Sequence, residues 1–201
     1  MQIIELIINE DDTNSVGVEA ISVVESPAIE MDFIALKEDV KEVQLTEVDR
    51  DKQILLGAAL VPNKMIYRRG AVEDFYIYFS KDTIRKASEL FLSGGNQNNS
   101  TLEHEEKLEG MSVVESWIVE DKDRDKTKLY GLDVPVGTWM VCMKVNDTKL
   151  WNEYVKTGKV KGFSIEGYFS NKALLSSQNQ AEKEAEVALK TIKDLMKNAN
   201  I

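Results

Sequence analysis

The chain has 201 residues, with 35 acidic side chains against 25 basic ones, a net charge of −10 and a pI near 4.8. An acidic surface repels phosphate, which argues against bare nucleic acid as a partner. There is no run of 18 apolar residues, no charged-then-apolar leader and only one cysteine, Cys142, so no membrane span, secretory signal, internal disulfide or zinc spacing is expected.

Gln2–Ile8 is a compact apolar run of strand length, and Val16–Val24 predicts a second strand stopped near Pro27. After Leu36 the chain becomes highly charged. That run divides an N-terminal arm, residues 1–45, from a main domain, 46–170; a linker and C-terminal helix occupy 171–201. The arm reads as strands, either a hairpin packed on the core or a leader segment.

Within the main domain, Gln53–Val61 predicts a buried strand, with Gly57 marking a bulge or a close approach. Pro62–Gly70 reads as a loop, and Asp74–Phe79 as an aromatic strand. The period then becomes helical. Ser80 is the expected N-cap, Ile84, Ala87, Leu90 and Phe91 form the apolar stripe, and Gly94 and Gly95 end the helix.

Ser100–Glu105 and Met111–Glu120 predict an antiparallel hairpin turning at Glu106–Gly110. Thr138–Val145 is a further strand with Cys142 as a small core residue. Asp147 caps a helix over Leu150, Trp151, Tyr154 and Val155, and Gly158 closes it. The strand that follows, in Lys159–Asn171, would then be parallel to Thr138–Val145 through a right-handed crossover. In the tail, Ala185, Ala188, Ile192, Leu195 and Ala199 give helical spacing over Ala181–Ala199. Strands and helices together predict an α+β fold.

The chemistry concentrates on GFSIEG. Strand alternation puts Phe163, Ile165 and Phe169 on one face and Ser164, Glu166 and Tyr168 on the other. A serine hydroxyl needs a base, and His104 is the only histidine. That forces the base but not the nucleophile, since the chain has many serines; Ser164 is favoured by its strand, its flanking Gly162 and the apolar opposite face, with Gly162 and Gly167 letting a substrate backbone come close. The group that would orient the imidazole is Glu115, across the expected hairpin, with Glu166 as the alternative. Asp121 ends the Glu115 strand, and Glu103 and Glu105 point away from His104. GFSIEG is not a G-x-S-x-G nucleophile elbow: its glycines are one residue too far apart and no strand–turn–helix follows.

TLEHE, VVESWIVED, LDVPVGTWMVCMKVND and LWNEYVKTGKVKGFSIEGYF, in that order, resemble the phage capsid-maturation (prohead) serine proteases, and most closely their XkdF-like branch. The leader GVEAISVVESPAIEMDFIAL is similar too, so the likeness runs from about Val16 to Phe169. It implies a herpesvirus assemblin-like fold, a small β-barrel flanked by helices, with His104 and Ser164 at the catalytic positions. No cofactor is implied. The substrates would be phage scaffold and major capsid protein, cleaved inside the assembling procapsid in the host cytoplasm; a homo-oligomer is among the expected assemblies, and neither nucleic acid nor membrane is an expected partner. The herpesvirus enzymes use a second histidine, which this chain lacks, and an arginine pair supporting the oxyanion site, of a kind that does not follow Ser164 here. A carboxylate third member and backbone N–H oxyanion donors are expected instead. The same departure allows a second reading, an inactive structural or scaffold-binding virion protein on the same fold.

Overall fold

The computed structural model describes residues 1–9, 11, 16–37, 51–177, 180–181 and 184–185. Among these, the strands form three four-stranded sheets. The first runs β12 (Ser170–Asn171), β1 (Gln2–Ile7), β6 (Phe75–Phe79), β5 (Ile66–Arg68). The second runs β3 (Ile34–Lys37), β4 (Asp51–Leu60), β10 (Trp139–Val145), β9 (Met111–Ile118). The third runs β11 (Gly162–Tyr168), β2 (Gly17–Val24), β7 (Ser100–Leu102), β8 (Glu106–Leu108). With helix α1 (Lys81–Ser93) and the short α2 (Thr148–Leu150), this is the expected α+β class. Barrel closure would need the two end strands of a sheet to pair. Among the described residues each sheet keeps its edges, so the small closed barrel is not formed.

The N-terminal strands are built into these sheets rather than set apart from them. β1 lies parallel to β6, Gln2 beside Phe75 through Leu6 beside Phe79. β2 lies between β11 and β7, and its run GVEAISVV buries Val18, Ile21, Val23 and Val24. An apolar run with little alternation is what a strand covered on both faces requires. Most of the charged run after Leu36 falls outside the described residues.

α1 forms as its period requires. Ile84, Ala87 and Phe91 are buried, Phe91 meeting the Trp139 ring at 5.4 Å. Gly94 N–H returns to the Leu90 carbonyl at 2.8 Å and Gly95 takes a left-handed φ of 75°, ending the helix. Ser80 stands at the N-cap, but its hydroxyl bonds Thr83 Oγ1 at 3.0 Å rather than a backbone N–H. Asp147 does cap α2, accepting from Lys149 and Leu150 N–H at 2.7 and 3.2 Å. The chain continues as one π-turn, Trp151–Val155.

Two expected connections differ. β10 and β11 belong to different sheets, so the α2 segment is not a crossover between parallel partners; it carries the chain from the second sheet to the third. The expected loop Pro62–Gly70 contains β5, a three-residue strand too short to show a period. In the tail, residues 172–177 are helical, with Asn171 Oδ1 accepting from Ala173 N–H at 2.9 Å. The helix expected over Ala181–Ala199 lies outside the described residues except at 181, 184 and 185.

Gly57 is a close approach, as expected. A Cβ there would lie 2.9 Å from Phe33 Cβ and 3.2 Å from the Phe163 ring. Its absence lets Phe163 pack close against β4 and, tilted by 42°, against Phe33, ring centroids 5.3 Å apart. Burying a phenylalanine contributes about 1.5–3 kcal/mol, and this one holds the strand that carries Ser164.

Candidate active site

β7 and β8 form a tight hairpin, with Leu102 opposite Glu106. Glu105 N–H donates to the Leu102 carbonyl at 3.0 Å, and the two central residues, Glu103 and His104, take φ of 51° and 62°. Left-handed φ at both central positions is the type I′ geometry, which normally favours Asn and Gly. A glutamate and the lone histidine occupy it because neighbours hold them there. Glu103 N–H donates to the Val23 carbonyl at 3.2 Å, and its carboxylate accepts Glu25 N–H at 2.6 Å. His104 N–H donates to Ser22 Oγ at 3.1 Å. Strained backbone of this kind costs roughly 1–3 kcal/mol per residue and persists only where the surroundings over-determine it.

This turn differs from the expected hairpin. β8 takes the place expected of Met111–Glu120, and the left-handed Gly110 (φ 74°) then redirects the chain so that β9 pairs with β10. Glu115 is therefore in the second sheet, beside Cys142, and forms an ion pair with Lys126, whose ammonium lies 3.9 Å over the Trp117 ring. It does not reach His104. Asp121 accepts from Asp123 and Arg124 N–H at 2.9 and 3.3 Å and serves its own loop.

The carboxylate at the imidazole is that of Glu166. His104 Nδ1 lies 3.2 Å from Glu166 Oε1. The same oxygen accepts the Thr101 hydroxyl. The register explains the reach. Ser164 lies opposite Ser22, and Ser22 beside Thr101, so three hydroxyl side chains form a row across β11, β2 and β7. Glu166 lies opposite Ala20. A methyl group at that position leaves room for the longer side chain to cross β2. Ser164, two residues before Glu166, shares its face.

An Nδ1–H donated to a carboxylate fixes the imidazole tautomer and leaves Nε2 as the basic nitrogen. The His104 and Glu166 side chains keep 42% and 32% of their exposure, so solvent reaches them. Ser164 is only 8% exposed. Among the described residues, no hydrogen bond joins the Ser164 hydroxyl to His104. Ser22 is fully buried, and its hydroxyl both accepts from His104 N–H and donates to the Thr101 carbonyl at 3.2 Å, so it supports the turn.

The flanking glycines make room for the chain's own backbone. A Cβ on Gly167 would overlap the Gly17 carbonyl oxygen, and one on Gly162 would strike the Pro27 ring and the Met31 carbonyl. They allow β2 and the 27–31 segment to press against β11, in place of the substrate contact expected of them. Cys142 is buried, and desolvation, reinforced by the Glu115 charge, pushes its thiol up to about 11. No described group of three or more His, Cys, Asp or Glu side chains gathers as a metal site, and no described helix is long and apolar enough to cross a membrane.

The family model described as "Putative phage serine protease XkdF" matches residues 40–172, about two thirds of the chain. The chain belongs to this phage serine protease family. The matched span contains Ser164, His104, Glu166 and Thr101, and leaves β2, with Ser22, before its start. No curated protein and no solved structure matches the chain.

Period and spacing do not point to Thr101 or Ser22. For Ser22 the available signal is a lone hydroxyl inside an otherwise apolar strand, AISVV, which is costly to bury without partners; Thr101, in the short strand STL, carries no such signal.

Proposed function

We propose that this chain is a serine endopeptidase of phage head maturation that cleaves scaffold and major capsid protein within the assembling procapsid. The observation that carries the reading is the 3.2 Å contact of His104 Nδ1 with Glu166, on the strand and face that also carry Ser164. In this mechanism His104 Nε2 takes the Ser164 proton as Oγ attacks the scissile carbonyl carbon. The imidazolium returns that proton to the leaving amine, giving an acyl-enzyme that water then hydrolyses. Glu166 orients the ring and stabilises its charged form, the role assigned on the sequence to Glu115. Backbone N–H groups serve the oxyanion. The Ser164–His104 hydrogen bond closes in the substrate complex, since such bonds are commonly loose in free enzymes. The tie to the assemblin-like proteases rests on the order of the motifs alone, since the small closed barrel it implies is not formed among the described residues.

Co-expression with the adjacent phage capsid protein, read by intact mass, tests this reading. Wild type is expected to shorten the capsid protein, and Ser164→Ala and His104→Ala to leave it whole. Normal processing by both variants would end the assignment. The second reading, an inactive scaffold-binding virion protein, draws on the buried Ser164 hydroxyl and its lack of a bond to His104. Unprocessed capsid protein with wild type, together with its co-purification, would favour it.

A further inference from the structure

Two donors meet one oxygen of Glu166. The Thr101 hydroxyl and His104 Nδ1 both reach Oε1, the latter at 3.2 Å. An ionised carboxylate only accepts, so the hydroxyl proton points at Glu166. Thr101 stands on β7, beside Ser22 of β2 and opposite Lys107 of β8, in the strand that runs into the His104 turn. The carboxylate is therefore bound at two points of one short hairpin, although its own backbone belongs to β11, on the far side of β2.

A glutamate side chain turns about several bonds, and a pose that crosses a neighbouring strand gives up much of that freedom. Thr101 is built to offset the loss. Its β-branch restricts χ1, so the hydroxyl keeps its direction. Its backbone is held as well: the Ser22 hydroxyl donates to the Thr101 carbonyl at 3.2 Å and accepts His104 N–H at 3.1 Å. Ser22 thus fixes Thr101 and His104 relative to each other, and both present their side chains to the same oxygen. The neighbouring Ser100 cannot take this part, because it is buried and its Oγ meets Met143 Sδ at 3.9 Å. A neutral imidazole has two tautomers, and only a carboxylate kept at Nδ1 favours the one that leaves Nε2 unprotonated.

We propose that Thr101 is a positioning residue: its hydroxyl holds the Glu166 carboxylate on His104 Nδ1 and so selects the imidazole tautomer whose Nε2 is free. It acts through Glu166 and takes no part in bond making. A ring protonated on Nε2 cannot accept the serine proton, so losing the hydroxyl lowers the fraction of chains able to react. The catalytic use of this device rests on the endopeptidase reading; the tautomer itself can be read without any turnover.

The test uses the untagged full chain, isotopically labelled at the histidine ring nitrogens. His104 is the only histidine, so one imidazole gives the whole signal. Its two nitrogen shifts in NMR spectra at about pH 9, where an ordinary imidazole is neutral, report the tautomer. Wild type is expected to hold the proton on Nδ1. Thr101→Val keeps the β-branched shape without the donor. It is expected to move a large share of the proton to Nε2 and to slow fluorophosphonate labelling of Ser164 by about tenfold or more. Thr101→Ala, a second variant without the donor, should behave alike, and Thr101→Ser is expected to restore both the tautomer and the rate. In a Glu166→Ala background, Thr101→Val should slow labelling by less than about twofold, since the group it positions is gone. An equal loss with and without the Glu166 side chain, which a purely structural role would give, overturns the proposal, as does a Thr101→Ser chain no better than Thr101→Val. Labelling of Ser164 with the rate and tautomer unchanged in Thr101→Val keeps the endopeptidase reading and removes this one. A tautomer shift in Thr101→Val, with Ser164 of wild type never taking the probe, keeps the positioning role of Thr101 and removes the endopeptidase reading.

Discussion

Glu166 reaches across β2 to His104, and its Oε1 lies 3.2 Å from the imidazole Nδ1 while also accepting the Thr101 hydroxyl. The small side chain of Ala20, opposite Glu166, makes the crossing possible. One carboxylate oxygen thus ties β11 to the β7 turn, and with it the serine strand to the histidine.

The two candidate carboxylates should separate cleanly on mutation. Glu166→Gln removes the charge that stabilises imidazolium and should lower processing by two to four powers of ten. Glu115→Gln removes a half-exposed pair with Lys126 and a charge beside Cys142, neither of which meets His104; such pairs contribute about 0–1 kcal/mol, so processing should stay within about twofold. Processing rates of the two variants, measured side by side, check this; the opposite ranking would return the role to Glu115.

Ser22→Ala should damage both stability and the site. It leaves the buried Ser22 position without an acceptor for His104 N–H and without a donor to the Thr101 carbonyl. Leaving such groups unsatisfied costs roughly 1–3 kcal/mol. Urea unfolding should show that loss. Ser22→Thr keeps the hydroxyl and should recover most of it, and an equal loss in both variants would mean that packing, not the hydroxyl, is at work.

How much of this was legible in the chain differs by element. The Asp147 cap, the glycine stop of α1 and most strands follow from period and punctuation. Gly57 was readable as a close approach because a glycine inside an apolar strand has few other uses. The pairing was harder. Whether Met111–Ile118 returns to the histidine strand or joins β10 depends on the intervening three-residue strand and the left-handed Gly110. Neither carries a hydrophobic period. Glu115 faces the histidine only if Met111–Glu120 pairs with the His104 strand, and β9 pairs with β10 instead. Glu166 was visible on the serine face, but its reach depends on a neighbour, Ala20, that only the register reveals. The closed barrel came from resemblance, and strand pattern alone does not decide between a barrel and open sheets.

The junction between the N-terminal strand and the tail should depend on pH. A hydrogen bond from Lys172, followed by one from Ser80, the Lys172 charge and a bond from Tyr78, outweighs burial and lowers the Glu5 pKa. Its bond to Glu5 likewise raises that of Lys172. A depressed carboxyl stabilises the fold above its unfolded value of 4.5 and loses that contribution as pH falls through the lower folded value. A raised ammonium contributes below 10.5 and loses its share as pH rises through the higher folded value. The protection of amides in 170–177 against hydrogen exchange, taken relative to the intrinsic rate at each pH, should therefore be greatest at intermediate pH and fall toward either limit. Glu5→Gln should flatten both arms, and a variant that keeps the full pH dependence would show that the protection comes from elsewhere.

The central claim is that His104, held by Glu166, activates Ser164. Intact and peptide mass spectrometry after treatment with a fluorophosphonate tests it most directly. The account predicts one adduct, on Ser164, with labelling abolished in His104→Ala and slowed at least a hundredfold in Glu166→Gln. A folded wild-type chain that takes no adduct at Ser164, or that labels equally well without the His104 imidazole, would contradict it.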